Sequence, residues 1–197
     1  MASKKRIYFY VDGKCEKAIK DKIDQSQINP IFVQRTKNGR DVSLDAIAKE
    51  CSTLLNSFSS LGQAHIFIID KEKRIDKTST SMESALETSI KGLSKSTFDL
   101  VVTDIMFENW ILADIENVSQ KNSTFLKTTA NDSTHEGKNG SAILDELWKS
   151  KTDNYSSDKI TNSKKLFKHV RPTVGSTYSQ SFKKFITILN KHNIILF

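Results

Sequence analysis

Two aspartates close short apolar runs in this chain. Asp12 follows Ile7–Val11 (IYFYV), and Asp70 ends His65–Asp70 (HIFIID). Each run has the character of a buried strand, and ligands of open parallel sheets bind beyond the carboxyl ends of such strands. If the two strands are neighbours, both carboxylates face one crevice. Glu72 follows Asp70 by two, so along an extended strand end it faces the same side. Glu16 falls in the first turn of a predicted helix after Asp12, and Glu108 follows a further strand, Asp99–Thr103 (DLVVT). Asp12, Glu16, Asp70, Glu72 and Glu108 are therefore the candidate catalytic residues. Asp12, Asp70, Glu72 and Glu108 are the candidate metal ligands among them. Carboxylates crowded on one rim repel, and a cation relieves the repulsion. Hard oxygen donors suit Mg2+ or Mn2+, which can activate water and stabilise charge on a phosphodiester.

Each residue also has a plainer reading. Glu16 favours a helix dipole without any chemistry. Asp70 can cap a turn. Glu72 stands among Lys71, Lys73 and Arg74 as a solvated charge would. Lys14, Lys164, Lys165, Lys168 and Arg171 are candidate phosphate contacts, and equally a solvated helix face. The histidines are scattered without metal-ligand spacing. Gly13-Lys14 lacks the earlier glycine and the following Ser or Thr of a phosphate-binding loop, and no GxSxG or GxGxxG occurs.

The elements that must position these residues alternate. Strands are predicted at Ile7–Val11, Asn29–Gln34, His65–Asp70 and Asp99–Thr103. Helices are predicted from Cys15 to Gln25, along the stripe Leu44, Ile47, Ala48, Cys51, Leu54, Leu55, Phe58, and from Met82 to Leu93. Asp41 or Ser43 can cap the second of these, and Gly62 ends it. Alternation of this kind specifies an α/β fold: a Rossmann-like, mainly parallel four-stranded sheet flanked by helices. From Phe107 onward the pattern is helical, with a short helix at Phe107–Ile115, a polar loop over Lys121–Asn139, and helices near Ser141–Lys149 and Asp158–His169. A last helix carries Phe182, Phe185, Ile186 and Leu189 on one face. The expected organisation is an α/β core over residues 1–116 and a helical C-terminal extension over 117–197, packed together as one compact unit.

With 197 residues the chain is long enough for one sizeable core. No apolar run approaches the roughly 20 residues that span a bilayer, and no secretory signal core follows the basic start. Two distant cysteines, Cys15 and Cys51, argue against a disulfide framework or zinc cluster and for a cytoplasmic setting. A net charge of +7 favours a polyanionic partner, although lysine also serves solubility.

The segment VDGKCEKAI from Val11 resembles the V-E-G-x-T-E opening of toprim (topoisomerase–primase) domains, a fold shared with OLD-type nucleases. IIDKE, ending at Glu72, resembles their D-x-D motif. FENWILAD, Phe107 to Asp114, is similar to the F-E-x-W-L-L motif of the RloB-like branch of small, defence-associated toprim proteins. The resemblance covers roughly the first 115 residues, and the C-terminal helices match the branch only loosely. It implies a divalent-metal nuclease acting on DNA or RNA, tRNA included. It also implies an effector role in antiphage defence with an ABC-type ATPase partner, and it is compatible with a homodimer. By position, Asp12 and Glu16 take the first motif's acids, Asp70 and Glu72 the paired acids, and Glu108 the later glutamate. Three positions depart: Asp12 stands for a glutamate, Glu72 for an aspartate and Cys15 for a threonine. A non-catalytic subunit that binds nucleic acid or regulates the ATPase is the alternative from another class.

Overall fold

The computed structural model describes residues 4–38, 41–62, 64–72, 78–131, 135, 137–150 and 152–197. Lys73 and Arg74, the neighbours of Glu72, lie outside the described residues, as does part of the 121–139 segment. Four strands, β1 (Lys5–Val11), β2 (Ile28–Gln34), β3 (Ala64–Asp70) and β4 (Asp99–Thr103), form one parallel sheet in the order β2-β1-β3-β4. The expected α/β class and its parallel four-stranded sheet are thus present.

Strand alternation divides the core in two. Ile7, Phe9, Val11, Ile66, Ile68 and Val101 point to one face, and Tyr8, Tyr10, Phe67, Ile69, Leu100 and Val102 to the other. Because both faces are covered, the strands read as continuous apolar runs. The second face packs on α1 (Leu44–Phe58) through Ile47, Ala48, Cys51 and Leu55, and on α2 (Ser79–Leu93) through Met82, Leu86 and Ile90. Ser43 caps α1 by accepting from the Ala46 N–H, and Thr78 and Ser81 form a capping box on α2. Helix α1 stops at Phe58, short of Gly62.

The first face is covered by a 3-10 helix (Cys15–Lys22) and by the elements that follow β4. These later elements are α3 (Glu108–Leu112), α4 (Ile115–Lys121), α5 (Gly140–Leu147), a short 3-10 turn (Tyr155–Asp158), α6 (Lys159–Phe167), α7 (Pro172–Tyr178) and α8 (Gln180–Lys191). Trp110 is fully buried there among Phe107, Phe182 and Phe185, and its indole N–H donates to the Ser181 hydroxyl. Residues from Phe107 onward therefore complete the core. Among the described residues, no helix is long and apolar enough to cross a membrane.

Candidate active site

The chain leaves β1 toward β2 on one side, whereas β3 pairs on the other side of β1. The crevice between the carboxyl ends of β1 and β3 is therefore the topological switch point of the sheet. Asp12 and Asp70 stand on its two sides. A pocket of about 250 Å³ opens there, lined by Asp12, Gly13, Cys15, Glu16, Asn38, Asp70, Glu72, Met106, Phe107, Glu108 and Lys159. All five acids expected from the sequence line this one pocket.

They arrive by different routes. Asp12 is buried, and its Oδ1 accepts from Arg35 Nε at 2.8 Å and from Arg35 Nη2, while Oδ2 accepts from the Asp70 backbone N–H at 2.9 Å. Asp70 accepts from the Thr103 hydroxyl at 2.8 Å, which ties the ends of β3 and β4 together. Glu16, 2% exposed, folds back over the turn and accepts from the Gly13 N–H at 3.1 Å. A β-carbon on Gly13 would sit 3.0 Å from that carboxylate, so a larger residue there would push Glu16 aside by a few tenths of an ångström. Glu72 is not on an extended strand end. Strand β3 stops at Asp70, and Glu72 turns through a left-handed φ of 58°, its N–H bonded to the Ile105 carbonyl at 2.7 Å. A non-glycine residue is strained there, and the bend brings Glu72 to the rim. Glu108 opens α3 and is 4% exposed. Its Oε1 accepts from Tyr155 OH at 3.0 Å and Ser141 Oγ at 3.1 Å, with Lys159 Nζ at 3.3 Å. Gly140 lets α5 come this close, since a β-carbon there would lie 2.9 Å from Glu108 Cβ.

Burial, with the Asp12 and Glu108 charges adding to it, lifts the Glu16 carboxyl to about 7, against the opposing pull of hydrogen bonds to its own N–H and that of Gly13. Burial, then Glu16, Asp12 and Glu108, raise Asp70 well above the ordinary carboxylate range, with the Thr103 bond opposing. Burial and the Glu108 charge push the Cys15 thiol up to about 11, so it stays protonated at neutral pH. Burial, then Glu108, likewise raises Tyr155, which remains a neutral donor. Burial works against the Arg35 charge, but Asp12 beside it outweighs burial and the guanidinium is held protonated.

No family model, curated protein or solved structure matches this chain. The site's donors toward a cation are carboxylate oxygens, the chemistry that suits a hard divalent ion, and their mutual repulsion is what such an ion would relieve. They share the pocket without enclosing a point. Among the described residues, no three His, Cys, Asp or Glu side chains are gathered as a finished ligand set.

The expected phosphate contacts fall into two groups. Lys14 is exposed at the start of the first 3-10 helix, and Lys164, Lys165 and Lys168 are exposed on and just after α6, with Lys165 over the Phe125 ring at 5.9 Å. Arg171 instead grips the buried Asp114: Nη2 to Oδ1 at 2.7 Å, and Nε and its backbone N–H to Oδ2 at 2.9 and 2.7 Å. Sequence reasoning did not find Arg35, Asn38, Ser141, Tyr155 or Lys159. Only Arg35 carried a local signal, a cation directly after the carboxyl end of a strand. Lys159 reaches Glu108 across 51 positions, and no local spacing announces that.

Proposed function

We propose that this chain is a divalent-metal-dependent nuclease of toprim type that cleaves phosphodiester bonds in DNA or RNA. In this reading it is the toxic effector of an antiphage defence system with an ABC-type ATPase partner. One observation carries the reading: at the switch point, five carboxylates and Lys159 line one pocket, in a chain of net charge +7. Asp70, Glu72 and Glu108 are the side chains that would hold Mg2+ or Mn2+, with Asp12 behind them. When bound, such an ion stabilises charge developing on the phosphate and acidifies a water.

The remaining work belongs to the chain's own groups. Glu16, which lines the pocket, can take a proton from an attacking oxygen or deliver one to a leaving oxygen. Lys159, its side chain 41% exposed, can exchange part of its contact with Glu108 for a phosphate oxygen. Lys14, Lys164, Lys165 and Lys168 would hold the flanking backbone by charge alone.

The test is cleavage of supercoiled plasmid and of bulk transfer RNA in Mg2+ or Mn2+, with and without the ATPase. Asp70→Asn should keep the wild-type fold and lose on the order of 10²–10⁴ in rate, because metal-based stabilisation is worth several kcal/mol of barrier. Lys159→Ala should lose about 10²-fold, as removal of a charged donor at a developing anion does. The engagement of Asp12 by Arg35 and of Glu108 by Lys159 favours a second reading, a non-catalytic toprim-like subunit that binds nucleic acid or regulates the ATPase. Wild-type rates in Asp70→Asn would leave that second reading in possession.

A further inference from the structure

Arg35 follows the last residue of β2, and its side chain is fully buried beneath the pocket. Its fork is fully engaged: Nε and Nη2 donate to Asp12 Oδ1, Nη2 also to the Lys37 carbonyl at 3.1 Å, and Nη1 to Cys51 Sγ at 3.4 Å, with Glu50 Oε2 at 3.8 Å. Its own N–H bonds back to the Val11 carbonyl at 2.8 Å. Asp12, held on that side, turns its other oxygen to the Asp70 N–H. The chain β2 end–Arg35–Asp12–Asp70 therefore crosses three strands, and its two links after Arg35 are hydrogen bonds with at least one charged partner.

We propose that Arg35 is a positioning residue, and that through it Asp12 braces Asp70 in place as the carboxylate facing the metal, instead of ligating the metal itself. An Asp12 already neutralised by a buried guanidinium has little charge left for a cation. What it does hold is the backbone amide of the residue that points into the pocket. The shorter aspartate fits this role, since it keeps the carboxylate back against Arg35 at the strand end. The two ideas predict opposite results when Arg35 is changed. If Asp12 were a ligand masked by Arg35, removing the guanidinium would free a negative charge and tighten cation binding. If it is a brace, removal lets Asp70 drift and loosens binding, although the site has become more negative.

The brace stands on the hydrogen bonds alone, whereas the exclusion of Asp12 from the ligand set, and with it the second readout, rests on the metal reading above. Arg35→Gln removes the clamp. Arg35→Lys keeps a buried charge opposite Asp12 but loses the fork, so it remains folded where the glutamine variant fails. The first readout is amide hydrogen exchange of Asp70 relative to Ile68 in metal-free protein. It should accelerate by about tenfold in Arg35→Gln and less in Arg35→Lys, a local opening beyond any global change. The second is Mn2+ affinity by calorimetry. It should fall by about ten- to a hundredfold in Arg35→Gln, the usual loss when a ligand's support is removed, with partial rescue in Arg35→Lys. An Asp70 exchange ratio that stays at the wild-type value in both variants overturns the proposal. So does Mn2+ affinity at or above wild type. Should the wild-type protein bind no Mn2+, the metal reading falls by itself, and the exchange ratio alone decides the brace.

Discussion

Glu108 carries three donors on one oxygen, and they come from three separate elements: Ser141 in α5, Tyr155 in the short 3-10 turn and Lys159 in α6. A buried carboxylate needs such partners, because a charge taken out of water without them is costly. Tyr155→Phe keeps the ring and deletes one donor. A hydrogen bond to a charged group contributes about 1.5–3 kcal/mol, and the variant should lose an amount of that order in urea unfolding. If Glu108 belongs to the ligand set, Mn2+ affinity should fall by about tenfold as well, since outer partners orient inner ligands. A loss of stability with unchanged Mn2+ affinity would place Glu108 in the wall and not on the metal. The acids themselves were legible in the sequence, because a buried strand must end at a defined edge and the next polar residue lies there. Their partners were not. Tyr155 and Lys159 meet Glu108 only through tertiary packing, and Arg35 has the composition of any surface arginine while being 1% exposed.

At the scale of elements, strands were legible because burial on both faces makes the inner runs of β1, β3 and β4 mostly apolar, and the four runs match β1 to β4 to within two residues. Helix α7 was not. Its sequence, PTVGSTY, is poor in helix formers, and it is held by Pro172 in its first turn and by packing on α8. The bend at Glu72 was hidden for a similar reason: periodicity reports a strand, but not where a loop must turn to meet Ile105. The basic C-terminal residues separate by what they touch. Lys164, Lys165 and Lys168 lie roughly 8–14 Å along the α6 direction from Lys159, where a nucleic acid seated in the pocket would carry its flanking phosphates. Changing all three to alanine should reduce the slope of log affinity against log salt by about 0.9 for each phosphate no longer neutralised. Arg171, its side chain 48% exposed, is the partner of the buried Asp114 at the end of the FENWILAD segment. Asp114→Asn should cost on the order of 2–3 kcal/mol of stability while leaving that salt slope as it was. A slope that responds to Asp114→Asn and ignores the lysines would reverse these assignments.

Over the whole molecule, a strongly basic chain keeps a nest of acids at its sheet edge, and this makes stability depend on pH in a particular direction. A glutamate in the unfolded chain titrates near 4.3, whereas folded Glu16 titrates at about 7. Between those values the folded protein holds the extra proton. The stability this contributes is complete below the unfolded value and is lost as pH rises through 7, with a slope of up to about 1.4 kcal/mol per pH unit for one proton. Asp70, also raised, acts in the same sense. His65 and His169, lowered by burial, act in the opposite sense. Burial works to raise Asp99 and Glu50, but their hydrogen-bond and charged partners outweigh it and hold both low, so they matter only in more acid solution. Metal-free protein should therefore gain a rising urea midpoint from the acid nest as pH falls from 8 to 5.5. Glu16→Gln keeps both histidines and removes the Glu16 proton, so the difference between its pH profile and that of wild type isolates this one group. Added MnCl2 replaces the missing proton with a cation and stabilises the form it binds. It should raise the wild-type midpoint strongly at pH 8 and little at pH 5.5, where protons and metal compete for the same oxygens. A midpoint insensitive to MnCl2 at pH 8, with Glu16→Gln following the wild-type pH profile, would mean that the acids are a feature of packing and hold no ion.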